Sequence, residues 1–302
     1  MLDRKPLIVF LSIAFGVSWP LFVLPLAFRG AAPETQQVAA LAAWSLAMWG
    51  PGLGALIATR VTAKKSLRSL NLGRLGQKRM YLWAWLLPPA LALAAGVFTM
   101  VFGLARLDLG FGVIKQSLAS IPGGLPVPAW VVVLAQIGLS LTLAPLFNTI
   151  FGMGEELGWR GFLLPQLLPL GQWKAILLSG AIWGIWHAPV ILQGHNFPSA
   201  PVLGTLMMVV ACVLLGAIFS WLYLRTRSPW APALAHGALN ATAGLSILFL
   251  TPFDLTWGGT PVSPLGWIGM LLFVAWLIVT RRLPVHDLVE SPVPASEPMA
   301  AA

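Results

Sequence analysis

The chain has 302 residues, 58% of them hydrophobic and only 9% charged, with fifteen tryptophans and a formal net charge of +9. A soluble domain carries roughly a quarter charged residues, so the composition excludes the soluble globular class. The basic residues sit in short breaks between apolar runs, which argues against nucleic acid as a partner and for membrane lipid.

Apolar runs of bilayer-crossing length, about twenty residues, recur near 7–28, 36–59, 80–104, 130–168, 172–193, 202–224, 230–251 and 264–280. Backbone groups in lipid must be paired internally, and no segment shows the alternation of a membrane barrel. The predicted fold class is therefore all-α: a polytopic integral membrane protein of about eight transmembrane helices, forming one transmembrane domain over 1–285. The opening "MLDRKPLIVFLSIAF" resembles a signal peptide, but its apolar run exceeds the usual length, and it is taken as the first span. The basic cluster Arg60–Arg79 reads as a solvated loop that fixes topology, with no chemistry assigned to it.

Assigning loops alternately to two sides places Arg4, Lys5, the Arg60–Arg79 cluster, Arg160, Lys174, Arg225, Arg227, Arg281 and Arg282 together. Only Arg29, Arg106 and Lys115 fall on the other side. The positive-inside rule makes the first set cytoplasmic, with both termini inside. Residues 122–128 read as an outer loop. The run from Trp130 to Leu168 is too long for one straight span, and Pro145, which removes a backbone donor and clashes with the preceding turn, predicts a bend there. Cys212, the one cysteine, lies inside a span and excludes disulfides. The Pro/Ala/Ser-rich tail over 286–302 is expected to be disordered, with His286 inert.

Charge at membrane depth costs about 2.5–3.5 kcal/mol per residue even on a lenient scale, so each instance needs a reason. The instances are Glu155, Glu156, Arg160, His187, His236 and Asn240, with Asn148 a lesser one. Counting along the helices puts these groups at overlapping depths on three helices, about a third to a half of the way across from the cytoplasm. A polar intramembrane cavity is the expected result. Glu156 and Arg160 are four apart and share a face, so they pair; Glu155 points about 100° away, toward another helix. His236 and Asn240 project together, while His187 precedes Ala188-Pro189, near the end of its helix. A carboxylate and one imidazole can hold and deprotonate a water, and the other imidazole with the amide can stabilise an oxyanion. Zinc would also fit, with Glu155, His187 and His236 as ligands and one open position.

These residues form the pattern E-E-x-x-x-R (Glu155, Glu156, Arg160), W-x-x-x-H (Trp183, His187) and H-x-x-x-N (His236, Asn240) on three helices. The pattern resembles the CPBP family, which contains the type II CAAX-prenyl endopeptidases and bacterial relatives linked to bacteriocin immunity and processing. Trp183 stands where that family usually has Phe. The resemblance covers about 145–245, the expected protease core. It implies that Glu155 and His187 activate the water and that His236 and Asn240 form the oxyanion site. It also implies that Glu156 and Arg160 support the site or the substrate carboxylate, in a cavity open to the cytoplasm. The resemblance leaves both a metal-independent glutamate mechanism and a metalloprotease mechanism open. Two histidines far apart in sequence, one with an amide beside it, favour no obligatory cofactor. The expected function is an intramembrane endopeptidase in a bacterial or archaeal plasma membrane. It would act near the cytoplasmic face on a peptide or protein C-terminus, prenylated in one branch of the family. The alternative is a non-catalytic immunity or scaffold protein of the same fold.

Overall fold

In the computed structural model, residues 3–121 and 126–286 are described. Residues 122–125 of the expected outer loop, and the tail beyond His286, lie outside that range. The helices are α1 (Arg4–Val23), α2 (Pro33–Ala47), α3 (Gly50–Ile57), α4 (Arg79–Val101), α5 (Gly112–Ala119), α6 (Ala129–Leu141) and α7 (Leu143–Gly158). They continue with α8 (Leu164–Leu167), α9 (Gln172–Trp186), α10 (Ala188–Ile191), α11 (Pro201–Thr226), α12 (Trp230–Thr242) and α13 (Pro264–Val279). Two short strands, β1 (Arg106–Leu107) and β2 (Leu250–Thr251), pair antiparallel with Arg106 opposite Thr251. The protein is thus all-α and built for a bilayer. Large apolar side chains such as Leu41, Val202 and Val279 stand exposed on helix faces, where lipid rather than water would cover them.

Among the described residues, four helical stretches are long and apolar enough to cross a membrane: Arg4–Phe28, Pro33–Thr62, Arg79–Val101 and Pro201–Thr226. The bent pair Ala129–Leu141 and Leu143–Leu170 makes a fifth if counted as one span. The other apolar runs form α9, α12 and α13, each shorter than a full crossing.

The bend between α6 and α7 is 49°, and Pro145 explains it. An uninterrupted helix would bond the amide of residue 145 to the carbonyl of Leu141, but proline has no N–H and its ring crowds that carbonyl. The freed Leu141 carbonyl instead accepts the indole N–H of Trp85 at 2.8 Å. Asn148, in the first turns of α7, bonds back to Ala144 O at 2.9 Å, within its own helix.

The basic residues gather at one end of the bundle. There Trp230 Nε1 donates to Leu72 O at 2.7 Å, Gln172 Nε2 to Val285 O at 2.7 Å, and Arg225 Nη2 to Arg282 O at 3.4 Å. The opposite end is closed by the β1–β2 pair and by Ser199 Oγ donating to Asp254 Oδ2 at 2.8 Å.

Helix α12 is the centre, packed between α4 and α7 with α11 alongside. Its sequence, WAPALAHGALNAT, is mostly small residues, which lets neighbouring backbones approach closely. A methyl on Gly237 would fall 2.5 Å from both Pro145 O and Thr149 N of α7, so the two helices touch at their backbones. Residues Ala231 to Leu239 are all buried, so a polar side chain there cannot face lipid. His236 is held inside by the packing of its own helix.

Candidate active site

Three elements bring the polar residues together. Helix α7 carries Glu155 and Glu156 in its last turn and then continues as a π-turn, Trp159–Leu163, which holds Arg160. Such single-turn widenings recur at functional positions. Helix α9 ends at Trp186, and His187 takes the C-cap position because Pro189 cannot continue the backbone ladder. Helix α12 supplies His236 and Asn240.

The Glu156–Arg160 pair forms as the four-residue spacing requires. Arg160 Nη1 lies 2.8 and 2.9 Å from the two Glu156 oxygens, with both side chains almost fully buried. Glu156 Oε1 also lies 2.9 Å from His236 Nδ1. A carboxylate accepts, so Nδ1 carries the hydrogen and Nε2 points away from Glu156. Glu156 therefore joins a guanidinium to an imidazole across two helices, and the chain Arg160–Glu156–His236 fixes the ring.

Glu155 faces the other way, as its 100° offset implies. Its Oε2 accepts the indole N–H of Trp183 on α9 at 2.7 Å. Its Oε1 lies 3.8 Å from His236 Nε2, beyond hydrogen-bond range. His187 Nδ1 is 2.9 Å from the Trp183 carbonyl, so that nitrogen donates and Nε2 is left as the acceptor.

The sequence names Trp183 only as the aromatic of the second motif; its hydrogen bond to Glu155 is what the sequence does not signal. Besides holding Glu155, its ring lies 5.7 Å from that of His187 and 5.6 Å from that of His236. The Arg160 guanidinium stacks over it at 4.3 Å, in cation–π range. Phe in this position would keep the ring contacts and lose the hydrogen bond.

A cavity of about 130 Å³ joins the groups, lined by Phe22, Trp44, Met48, Trp186 and the polar set Glu155, His187, His236 and Asn240. From Glu155 the lining runs toward Phe22, near the end of α1 remote from the basic loops. Behind the lining, the rings of Trp183 and Phe219 pack against that of His236 with the Arg160 guanidinium over both, and none of the three is more than 2% exposed. Arg160 and Glu156 lie outside the lining, so they act on the cavity through His236 and Trp183.

Both histidines donate Nδ1–H to an oxygen and leave Nε2 free, a chemistry that zinc ligation also uses. Among the described residues, however, no three His, Cys, Asp or Glu side chains converge as a metal-binding group. As placed, Glu155, His187 and His236 do not converge as a zinc-binding group.

Comparison with known proteins falls on this same region. Residues 137–242 match the family described as type II CAAX prenyl endopeptidase Rce1-like. The chain is also 30% identical over 78 residues to the CAAX prenyl protease 2 of Methanococcus maripaludis. That alignment covers 24% of this chain and 29% of the relative, so it reaches less than a third of the relative's length. Both findings support the resemblance to the CPBP proteases that the three motifs carry.

Proposed function

We propose that this protein is an intramembrane endopeptidase that hydrolyses a peptide bond with a water activated by Glu155 and His187. The observation that carries the reading is the single small cavity into which Glu155, His187, His236 and Asn240 project from three helices of an apolar bundle. With Oε2 held by Trp183, Glu155 keeps Oε1 to take a proton from water, and His187 Nε2 accepts the other hydrogen and aims the oxygen. The hydroxide adds to the scissile carbonyl carbon. As an imidazolium, His236 donates Nδ1–H to Glu156 and Nε2–H to the developing oxyanion, joined by the Asn240 amide. The C–N bond then breaks, and the amine leaves with the proton that Glu155 removed.

The name of the matched family and of the archaeal relative favours a C-terminal peptide substrate, prenylated in the closest chemical analogy. His236 lies six residues from the start of α12 at the basic end, about 9 Å along the helix. This depth supports a cut in the half of the bilayer nearer that end, the cytoplasmic half by the positive-inside rule, in a plasma membrane. The lining runs from there toward Phe22, so the substrate reaches the reacting groups from within the bilayer.

Cleavage of a quenched-fluorescent peptide library, prenylated and unprenylated, by the purified protein in detergent tests the reading. Wild type should cleave, and Glu155→Gln and His187→Ala should lose cleavage while remaining folded. Lanes with chelator and with added zinc report metal dependence directly. No cleavage by folded wild type in any lane would sink the proposal and leave a binding or immunity role.

A further inference from the structure

The apolar share of the cavity lining is Phe22, Trp44, Met48 and Trp186. Three of these are fixed by their neighbours. The rings of Phe22 and Trp186 pack 4.7 Å apart, and both residues are at most 3% exposed. Trp186 Nε1 donates to Ala14 O at 3.3 Å, and Trp44 Nε1 donates to Phe22 O at 3.1 Å. The Trp44 ring also meets that of His195 at 5.2 Å. Moving any of the three breaks a hydrogen bond or a ring contact.

Met48 is held differently. Together with Trp49 it links α2 to α3. A methyl on Gly154 would fall 2.7 Å from Met48 O and 3.0 Å from Trp49 Cα, so the link is pressed against the backbone of α7 one residue before Glu155. The backbone of Met48 is therefore fixed beside the carboxylate. Its half-buried side chain is unbranched, with three rotatable bonds and a polarizable thioether that adapts to what it meets. Of the four apolar lining residues, Met48 alone carries neither a ring nor a polar hydrogen.

The cavity holds about 130 Å³. A carbonyl carbon attacked by the water at Glu155 has to sit within about 3–3.5 Å of that water. The substrate side chain next to the scissile bond must then share the cavity with the Met48 thioether. Apolar walls accept an apolar side chain and leave a charged one without a partner. In a hydrophobic pocket one methylene more or less is worth about 10- to 200-fold in discrimination.

We propose that Met48 is a specificity-determining residue, which limits the size of the apolar substrate side chain flanking the scissile bond. Aliphatic side chains fit beside the thioether, and an indole does not. The assignment rests on the peptidase reading above.

Peptides identical except for Ala, Leu or Trp at either position flanking the cut would be compared by kcat/KM, with thermal unfolding in detergent run alongside. Wild type should cleave the Ala and Leu peptides at least tenfold better than the Trp peptide at one of the flanking positions. Met48→Ala should narrow that Leu-over-Trp ratio at least tenfold, and Met48→Phe should lower Leu relative to Ala at least tenfold. Met48→Leu, which nearly conserves volume, should keep the wild-type ratios within threefold. So should Leu46→Ala, at an exposed position of α2 outside the lining. Should Met48→Ala unfold, Met48→Phe carries the test. An active wild type whose ratios move less than twofold in the folded Met48→Ala and Met48→Phe variants would overturn the assignment and leave the peptidase reading intact. An equal shift in Leu46→Ala would do the same. No cleavage of any peptide by folded wild type would overturn both.

Discussion

Trp183→Phe isolates one hydrogen bond. The ring stays between His187, His236 and Arg160, while the N–H that reaches Glu155 Oε2 at 2.7 Å is lost. Donor and acceptor residues are each 2% exposed, so no water readily takes the donor's place. A hydrogen bond to a charged group contributes about 1.5–3 kcal/mol net, and about 1.4 kcal/mol is a factor of ten in rate. The full bond therefore corresponds to roughly tenfold to a hundredfold or slightly more in rate. The lower end is expected, because Trp183 holds Oε2 and leaves Oε1, the oxygen proposed to take the proton, untouched. Trp183 is absent from the cavity lining, so the loss should fall on kcat and leave KM within about twofold. The assay is steady-state cleavage of the best peptide found above, with thermal unfolding in detergent run alongside. A variant that unfolds within a few degrees of wild type yet keeps kcat within twofold would refute Trp183 as the residue that positions the base.

Other substitutions probe the rest of the arrangement. Glu156→Gln leaves Arg160 buried at 1% exposure without its carboxylate and should destabilise by about 3–5 kcal/mol; adding Arg160→Met should restore part of that in the same unfolding assay. Asn240→Ala should lower kcat by about 10²–10³-fold if the amide serves the oxyanion, with stability unchanged because the side chain is exposed; an unaltered kcat would remove it from the mechanism. At the end remote from the basic loops, burial pushes the Asp254 carboxyl up, but hydrogen bonds from Thr256 and Ser199 outweigh it and hold the pKa below 3.8. The Ser199–Asp254 link should then be fully present above about pH 4 and lost as pH falls through the lower folded-state value. Hydrogen exchange of residues 196–200 should show that loss in wild type and not in Asp254→Asn.

The parts of the site that follow from helical geometry were legible in the sequence. The spacing of Glu156 and Arg160 dictates their pairing, the offset of Glu155 sends it to another helix, and Pro145 breaks the backbone ladder wherever it stands. What escaped was everything set by packing between helices. An indole N–H can point to lipid, backbone or carboxylate from the same sequence position, so the Trp183–Glu155 bond has no local signal. The link from Glu156 to His236 spans 80 residues and depends on α7 and α12 touching backbone to backbone. Phe22, Trp44 and Met48 are invisible for a different reason. In a transmembrane run, an apolar side chain that faces a cavity is written with the same letters as one that faces lipid. The short lengths of α9, α12 and α13 were obscured likewise, since apolar composition continues past the last helical turn.

The cavity beside Glu155 is small. Its volume of about 130 Å³ equals roughly four waters at about 30 Å³ each. Under the proposed reaction, that space holds the attacking water and little more than one peptide unit. A substrate would therefore have to offer its scissile bond as extended chain, stripped of secondary structure, before any of its side chains could be read.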